Sequence, residues 1–465
     1  MKKFIIKNRV LIFWLSLIII SFILFICFIY SDILITVRHS VNLWQTIYIG
    51  EPLGFYKINQ GLITDRFLPV FTVPSYEFPI FIIFALWNFP LWIAQNFLHI
   101  QITESILCLF WLKSLLLVFL LLCVKVIKKI CVEIGIKKNN LQWVLFVFLS
   151  SPLLLISLFI MSQYDIIAIF FMLLGVLAFI RGDKKQFILW FSIAIPLKLF
   201  ALFIFIPLLL IDNKKIMKII NYAILGLLPL ILTKSISLLM PMYKESTSGF
   251  SGEMLSRLLT NGINVNFGNA SLFCISMVAI CVFCYFKDLN SNNERNKFSI
   301  YIPLLVFSTF FIFVNFHPYW IILLTPFLAI IFFQNMRYFK INIILETVFS
   351  IIFIIITMIT YYWCYGPLVI ERMILPRLIG STYGTETKIQ FAGNILVRLG
   401  GQKLMPFLLA VFVSSIIAIL YINFPRKSSD NIREEDNNIE WGLLFFRLLV
   451  ILPVPLIMIL CYYYK

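Results

Sequence analysis

Four places in this chain carry residues whose types and spacing could do chemistry, and each adjoins a long apolar run. The first is Asp32, in Tyr30-Ser31-Asp32-Ile33-Leu34-Ile35-Thr36-Val37-Arg38-His39, directly after the first apolar segment. A carboxylate at the edge of hydrocarbon is partly desolvated, which raises its pKa toward that of a working general base. Asp32 reads equally well as the N-cap of a helix starting near Ile33, since Asp favours that position. Arg38 and His39, one to two turns on, offer cationic or hydrogen-bonding groups for a phosphate. Arg38 is also in a position to snorkel at the interface.

The second is Asp165, a lone acid in Met161-Ser162-Gln163-Tyr164-Asp165 between two apolar runs. Nothing about reversing the chain requires an acid there, although Asp and Ser are common turn residues. The third is Lys198, between Pro196 and Pro207 in an otherwise apolar stretch. A lysine near the bilayer centre costs about 2.5–3.5 kcal/mol on insertion scales, so it must hold a lipid phosphate or neutralise an acid such as Asp165. The fourth is Asn315-Phe316-His317-Pro318-Tyr319-Trp320. His317 and Tyr319 there would contact substrate, or else belong to an interfacial aromatic belt. Glu371-Arg372, after Gly366-Pro367, adds a late pair of charged side chains that would touch a donor.

The elements that must position these groups follow from composition. Of 465 residues, 62% are apolar and 13% charged, against about half and a quarter in ordinary soluble proteins. A water-soluble core cannot absorb that surplus, so the chain reads as an all-α polytopic membrane protein. The net charge of +17 does not point to nucleic acid, because the basic residues recur between apolar runs, as orientation signals do. The nine cysteines are scattered, mostly within apolar segments, and imply no disulfide framework. Val10–Tyr30 is too long for a signal peptide and is expected to remain as an anchor. Phosphate-loop, zinc-protease, nucleophile-elbow and EF-hand patterns are absent, which argues against ATP-driven work on this chain.

Apolar runs give about eleven full or near-full spans: 10–30, 105–124, 141–160, 166–180, 216–239, 269–287, 298–314, 321–334, 341–362, 404–423 and 442–464. Placing the basic clusters in the cytoplasm puts 23 Lys and Arg inside and 11 outside, with the N-terminus cytoplasmic. An even number of crossings must then separate 1–9 from 125–140, so 78–97, with Pro79 and Pro90, is expected to be re-entrant in the outer leaflet. Segment 187–211 is expected to be a broken hairpin of two short helices with Lys198 at its tip. Such backbone is tolerated only where protein buries it or it lines a cavity. The extracytoplasmic side then receives 31–77, the turn at Ser162–Asp165, 240–268, Asn315–Trp320 and 363–403. Most span middles look free of charge, which places any chemistry at the outer surface. No internal repeat supports a transporter of inverted-repeat design.

In order and placement these positions resemble the GT-C superfamily, polytopic glycosyltransferases that use lipid-phosphate-linked sugars. The likeness runs from residue 1 to about 335. It rests on Asp32 after the first span, Gln163-Tyr164-Asp165-Ile166 opening a short span, and the basic turn Arg181-Gly182-Asp183-Lys184-Lys185. Lys198 with Pro207, and His317-Pro318-Tyr319 before Pro326, complete it. The resemblance implies a catalytic transmembrane module over 1–335 and accessory C-terminal helices over 336–465. It implies Asp32 as the base that deprotonates an acceptor hydroxyl, and Lys198, with Arg38, as donor-phosphate ligands. Asp165 would position substrate or a divalent ion. The Asp-x-Asp pair of some members is missing, since residue 34 is Leu, so a divalent cation is not favoured. The His-Pro-Pro motif of the protein O-mannosyltransferase branch is missing too, which points to a bacterial cell-envelope glycan or lipid acceptor. The alternative is a flippase or transporter of lipid-linked glycans, which requires a continuous polar path across the membrane.

Overall fold

Every backbone N–H and C=O in hydrocarbon must be satisfied within the chain, which restricts spanning structures to helices and closed barrels. Continuous rather than alternating apolar runs select the helix. The computed structural model describes residues 2–64, 69–102, 105–365, 388–426 and 440–457, and it is all-α apart from two small antiparallel hairpins. Among the described residues six helices are long and apolar enough to cross a bilayer, or eight if each of two bent pairs is one crossing. The chain is a multi-pass membrane protein.

Helix α1 (Lys2–Cys27) leads into α2 (Ser31–Tyr48), which buries Ile33, Leu34, Val37 and Val41 on one side. A single-turn helix α3 (Phe55–Ile58) and the hairpin β1 (Gly61–Thr64)–β2 (Pro69–Thr72) follow. Segment 78–97 is two helices, α4 (Phe78–Trp87) and α5 (Phe89–Phe97), meeting at 66°. The break falls where Pro90 removes a backbone donor. After α6 (Ile106–Glu133) and α7 (Lys138–Leu149) the chain departs from expectation: 141–160 is not one straight crossing. It bends by 43° into α8 (Pro152–Leu154) and a π-helical turn over Leu155–Ile160. Pro152 cannot continue the α7 ladder, and Ser150 and Ser151 turn their hydroxyls toward a buried ion pair instead.

The centre of the bundle is α9 (Asp165–Ile180), with nearly every side chain buried. It packs against α6 and against α10 (Lys184–Leu197). Gly175 makes the second contact possible, because a Cβ there would lie 2.5 Å from the Phe191 ring. Between α10 and α11 (Phe200–Asp212) the helix breaks at Lys198, whose backbone is extended. Further out, α12 (Ile216–Ser237) buries only Gly226 and Ser237. It is followed by α13 (Tyr243–Thr260) and the hairpin β3 (Gly262–Val265)–β4 (Gly268–Ser271). Next come α14 (Leu272–Phe286), α15 (Asn292–Phe313), a 3₁₀ turn Pro318–Leu324, α16 (Thr325–Gln334) and α17 (Phe339–Thr360). The helices Lys388–Arg398, Gly401–Ile422 and Trp441–Leu449 complete the described chain. The run 442–464, expected as one span, leaves the helix at Val450 just before Pro453.

The span interiors carry more charge than expected. Lys113, in α6, is buried and donates to the Phe25 and Phe28 carbonyls at the end of α1, where a cation suits the helix dipole. Glu346 in α17 and Arg447 in Trp441–Leu449 are each 1% exposed and form an ion pair. Arg447 also donates to Ser150 Oγ at 2.7 Å and the Val147 carbonyl at 3.0 Å, while Ser151 donates to Glu346 at 2.9 Å. Removing one partner strands a buried charge at a cost of about 3–5 kcal/mol. Arg447→Leu therefore lowers the melting temperature of the detergent-solubilised protein sharply, and adding Glu346→Leu recovers most of the loss. A double variant no more stable than the single one would refute this.

Candidate active site

Asp32 occupies the first turn of α2, but it does not cap it: the N-cap position is Tyr30, and no side-chain capping bond forms. The carboxylate instead accepts the Tyr76 hydroxyl, at 3.2 Å to Oδ2 and 3.5 Å to Oδ1. Its surface stays partly open. Burial pushes its pKa up to about 6, and the negative charge of Asp165 adds to the rise, while Lys198 and the Tyr76 hydroxyl pull it down. One turn further on, Thr36 donates to the Tyr164 hydroxyl at 3.3 Å.

Asp165 enters from the turn that opens α9. The π-helical turn before it, Ser162 at φ +47° and the Gln163 side chain accepting from the Tyr164 N–H at 2.7 Å shape an irregular backbone. Turns of this kind collect at functional sites. Lys198 arrives from the opposite direction. A continuous α10–α11 helix would keep its side chain on the helix surface; the extended residue at the break sends the ammonium into the bundle. There Lys198 Nζ lies 2.7 Å from Asp165 Oδ1. Beyond this ion pair neither group has a hydrogen-bond partner among the described residues.

Four rings enclose the ammonium: Tyr76 at 5.0 Å from Nζ to the centroid, Phe200 at 5.7 Å, Tyr164 at 5.8 Å and Trp320 at 5.9 Å. Aromatic faces are attracted to a cation, the more so when it is desolvated. Tyr76 is the link between the two halves, with its hydroxyl on Asp32 and its ring beside Lys198. Asp32, Asp165 and Lys198 thus belong to one cluster.

His317 and Tyr319 border the same cluster. Their rings stack at 5.3 Å with planes 1° apart, and Trp320 and Trp363 meet the imidazole edge-on. His317 Nδ1 is buried without a hydrogen-bond partner. Burial, helped by the positive charge of Arg257, pushes the imidazole pKa down to about 4, so it is neutral at physiological pH. Tyr30 closes the wall, 6.1 Å from both Tyr319 and Trp363. Compared with known families, curated proteins and solved structures, the chain matches none of them. Any functional reading therefore rests on this geometry and on the sequence.

Two further candidates lie later on α2. His39 is buried with its ring edge-on to Phe81. Burial, with Arg38 adjacent, pushes its pKa down to about 3, so it carries no charge for a phosphate. Arg38 lies on the exposed side of α2. Arg372 lies outside the described residues. Among the described residues no three His, Cys, Asp or Glu side chains gather as a group able to hold a metal ion. Glu77 is paired with Lys234 at 3.0 Å and accepts from Tyr243 at 3.3 Å. Sequence reasoning missed Tyr76. No local pattern marks it, since its partners come from α2 and from the α10–α11 break.

Proposed function

We propose that this chain is a membrane glycosyltransferase of GT-C type, moving a sugar from a polyprenyl-phosphate donor to a glycan or lipid acceptor on the extracytoplasmic face. The observation that carries the reading is the convergence of Asp32, Asp165 and Lys198 around Tyr76. The reading takes as its eleven crossings the six long helices, the α7–α8 pair, and the apolar segments Asp165–Ile180, Leu272–Phe286, Pro318–Gln334 and Trp441–Ile457. The α4–α5 pair then serves as the re-entrant element and α10–α11 as the broken hairpin. With the N-terminus cytoplasmic, Asp32 and its partners face outward.

The chemistry balances with these groups. Asp32 takes the proton of the acceptor hydroxyl as its oxygen bonds to the anomeric carbon. The bond from that carbon to the phosphate oxygen breaks, and the electron pair leaves with the polyprenyl phosphate. Lys198 offsets the negative charge developing there, a contribution that grows in a desolvated site. Asp165 holds Lys198 in place and acts as a positioning residue. A base with a pKa of about 6 is ionised at neutral pH yet more basic than an ordinary carboxylate, which suits proton transfer.

The test is incubation of the purified protein with a panel of polyprenyl-phosphate sugars and acceptor glycans. The expected result is donor consumption with a new glycosidic bond. Movement of lipid-linked glycan across liposomes without a new bond would establish the flippase reading instead.

A further inference from the structure

We propose that the hairpin Gly262–Ser271 is an interfacial finger whose tip dips into the headgroup–acyl boundary and fixes α13 to the bilayer leaflet at the site end of the bundle. Its register pairs Val265 with Gly268 and leaves Asn266-Phe267 as a two-residue turn. Neither turn residue needs a positive φ, so the backbone accepts Phe there, and Phe267 stands fully exposed. A large aromatic side chain at a hairpin tip that packs on nothing within the chain is placed to meet something outside it. Ile263 and Val265, alternate residues of β3, are also exposed, as are Leu255 and Leu259 on the last turns of α13. No residue from Gly262 to Ser271 is charged.

The finger and α13 form one piece. Asn269 donates to the Thr260 carbonyl at 2.9 Å, Ser271 to the Leu258 carbonyl at 2.7 Å, and the Leu272 N–H to the Asn261 carbonyl at 3.0 Å. Gly262 closes the joint, because a Cβ there would lie 2.4 Å from the Ala270 carbonyl oxygen. Elsewhere α13 leans on the site: Phe250 packs 5.4 Å from Tyr76, and Arg257 donates to the Asn315 carbonyl at 3.2 Å.

Acyl chains are the occupant that fits. The strand β4 ends where α14 begins, and α14 exposes Ile275, Val278, Val282 and Phe286. The finger thus continues the exposed apolar face of a helix read as a membrane crossing. A stable protein partner needs about 800 Å² on each side, far more than three alternate side chains of one hairpin supply. An uncharged tip that carries Ile263, Val265 and Phe267 among the polar Asn264, Asn266 and Asn269, beside an apolar helix, has the mixed character that suits the headgroup–acyl boundary.

The test replaces Phe267, and separately Asn264 on the opposite strand face, with photoreactive p-benzoylphenylalanine in the full chain in native membranes. The aromatic replacement at 267 preserves the side chain's character. Illumination is expected to give lipid-mass adducts at least ten times more abundant at 267 than at 264, by mass spectrometry. Equal yields at the two positions, no adduct at 267, or crosslinks mainly to a second copy would each overturn the proposal. Sugar transfer by the unilluminated variants is read separately, so this outcome and that of the transferase reading are told apart.

Discussion

Asp32→Asn is expected to cut sugar transfer by about 10²–10⁴-fold, the usual contribution of a positioned general base, with donor binding unchanged. Its pH dependence carries a further sign. A base must be ionised, so wild-type kcat/KM, which follows the free enzyme, falls about tenfold per pH unit below the carboxyl pKa of about 6 and is level above it. Residual activity of the variant lacks that limb. Stability moves the other way. The folded pKa lies above the ordinary Asp value of about 3.9, so the native state binds more protons than the unfolded chain between the two values. Stability is therefore full at the acid end of that window, declines as pH rises through about 6, and stays lower above it. Asn carries no such cost, and Asp32→Asn is expected to melt higher than wild type at neutral pH. A variant that transfers sugar at the normal rate, or melts lower at neutral pH, contradicts the assignment.

Lys198→Met is expected to weaken donor use and stability together. Loss of a preorganised cation at the leaving phosphate lowers turnover by about 10²–10³-fold. It also strands the wholly buried Asp165 carboxylate, at a cost of about 3–5 kcal/mol. Asp165→Asn strands the ammonium among its four rings and is destabilising in turn. Combining Lys198→Met with Asp165→Leu removes both charges, so thermal stability returns while transfer stays low. Melting temperature in detergent and turnover against donor concentration separate the two effects. A double variant with restored transfer would show that the pair serves folding alone.

Much of this site is legible along the chain. Asp32, Asp165 and Lys198 are conspicuous because an ionisable side chain beside a long apolar run is costly, and that cost needs no coordinates to recognise. The break at Lys198 is visible through Pro196 and Pro207. The bend in 141–160 and the helix interruption at Val450 are less so. Pro152 and Pro453 stand in plain view, but hydropathy averages over them, and the Glu346–Arg447 pair that engages Ser150 and Ser151 joins residues 101 positions apart.

By itself the sequence determined that the chain lives in a bilayer as helices, and which charges have to find partners there, because transfer energies and backbone satisfaction act residue by residue. Tertiary structure alone decided the partnerships. Tyr76 joins Asp32 to Lys198, His39 turns away onto Phe81, and Arg447 closes on Glu346. Such choices depend on which helix faces which. That is settled by the packing of shapes such as Gly175 against Phe191, and no local pattern of residues encodes it.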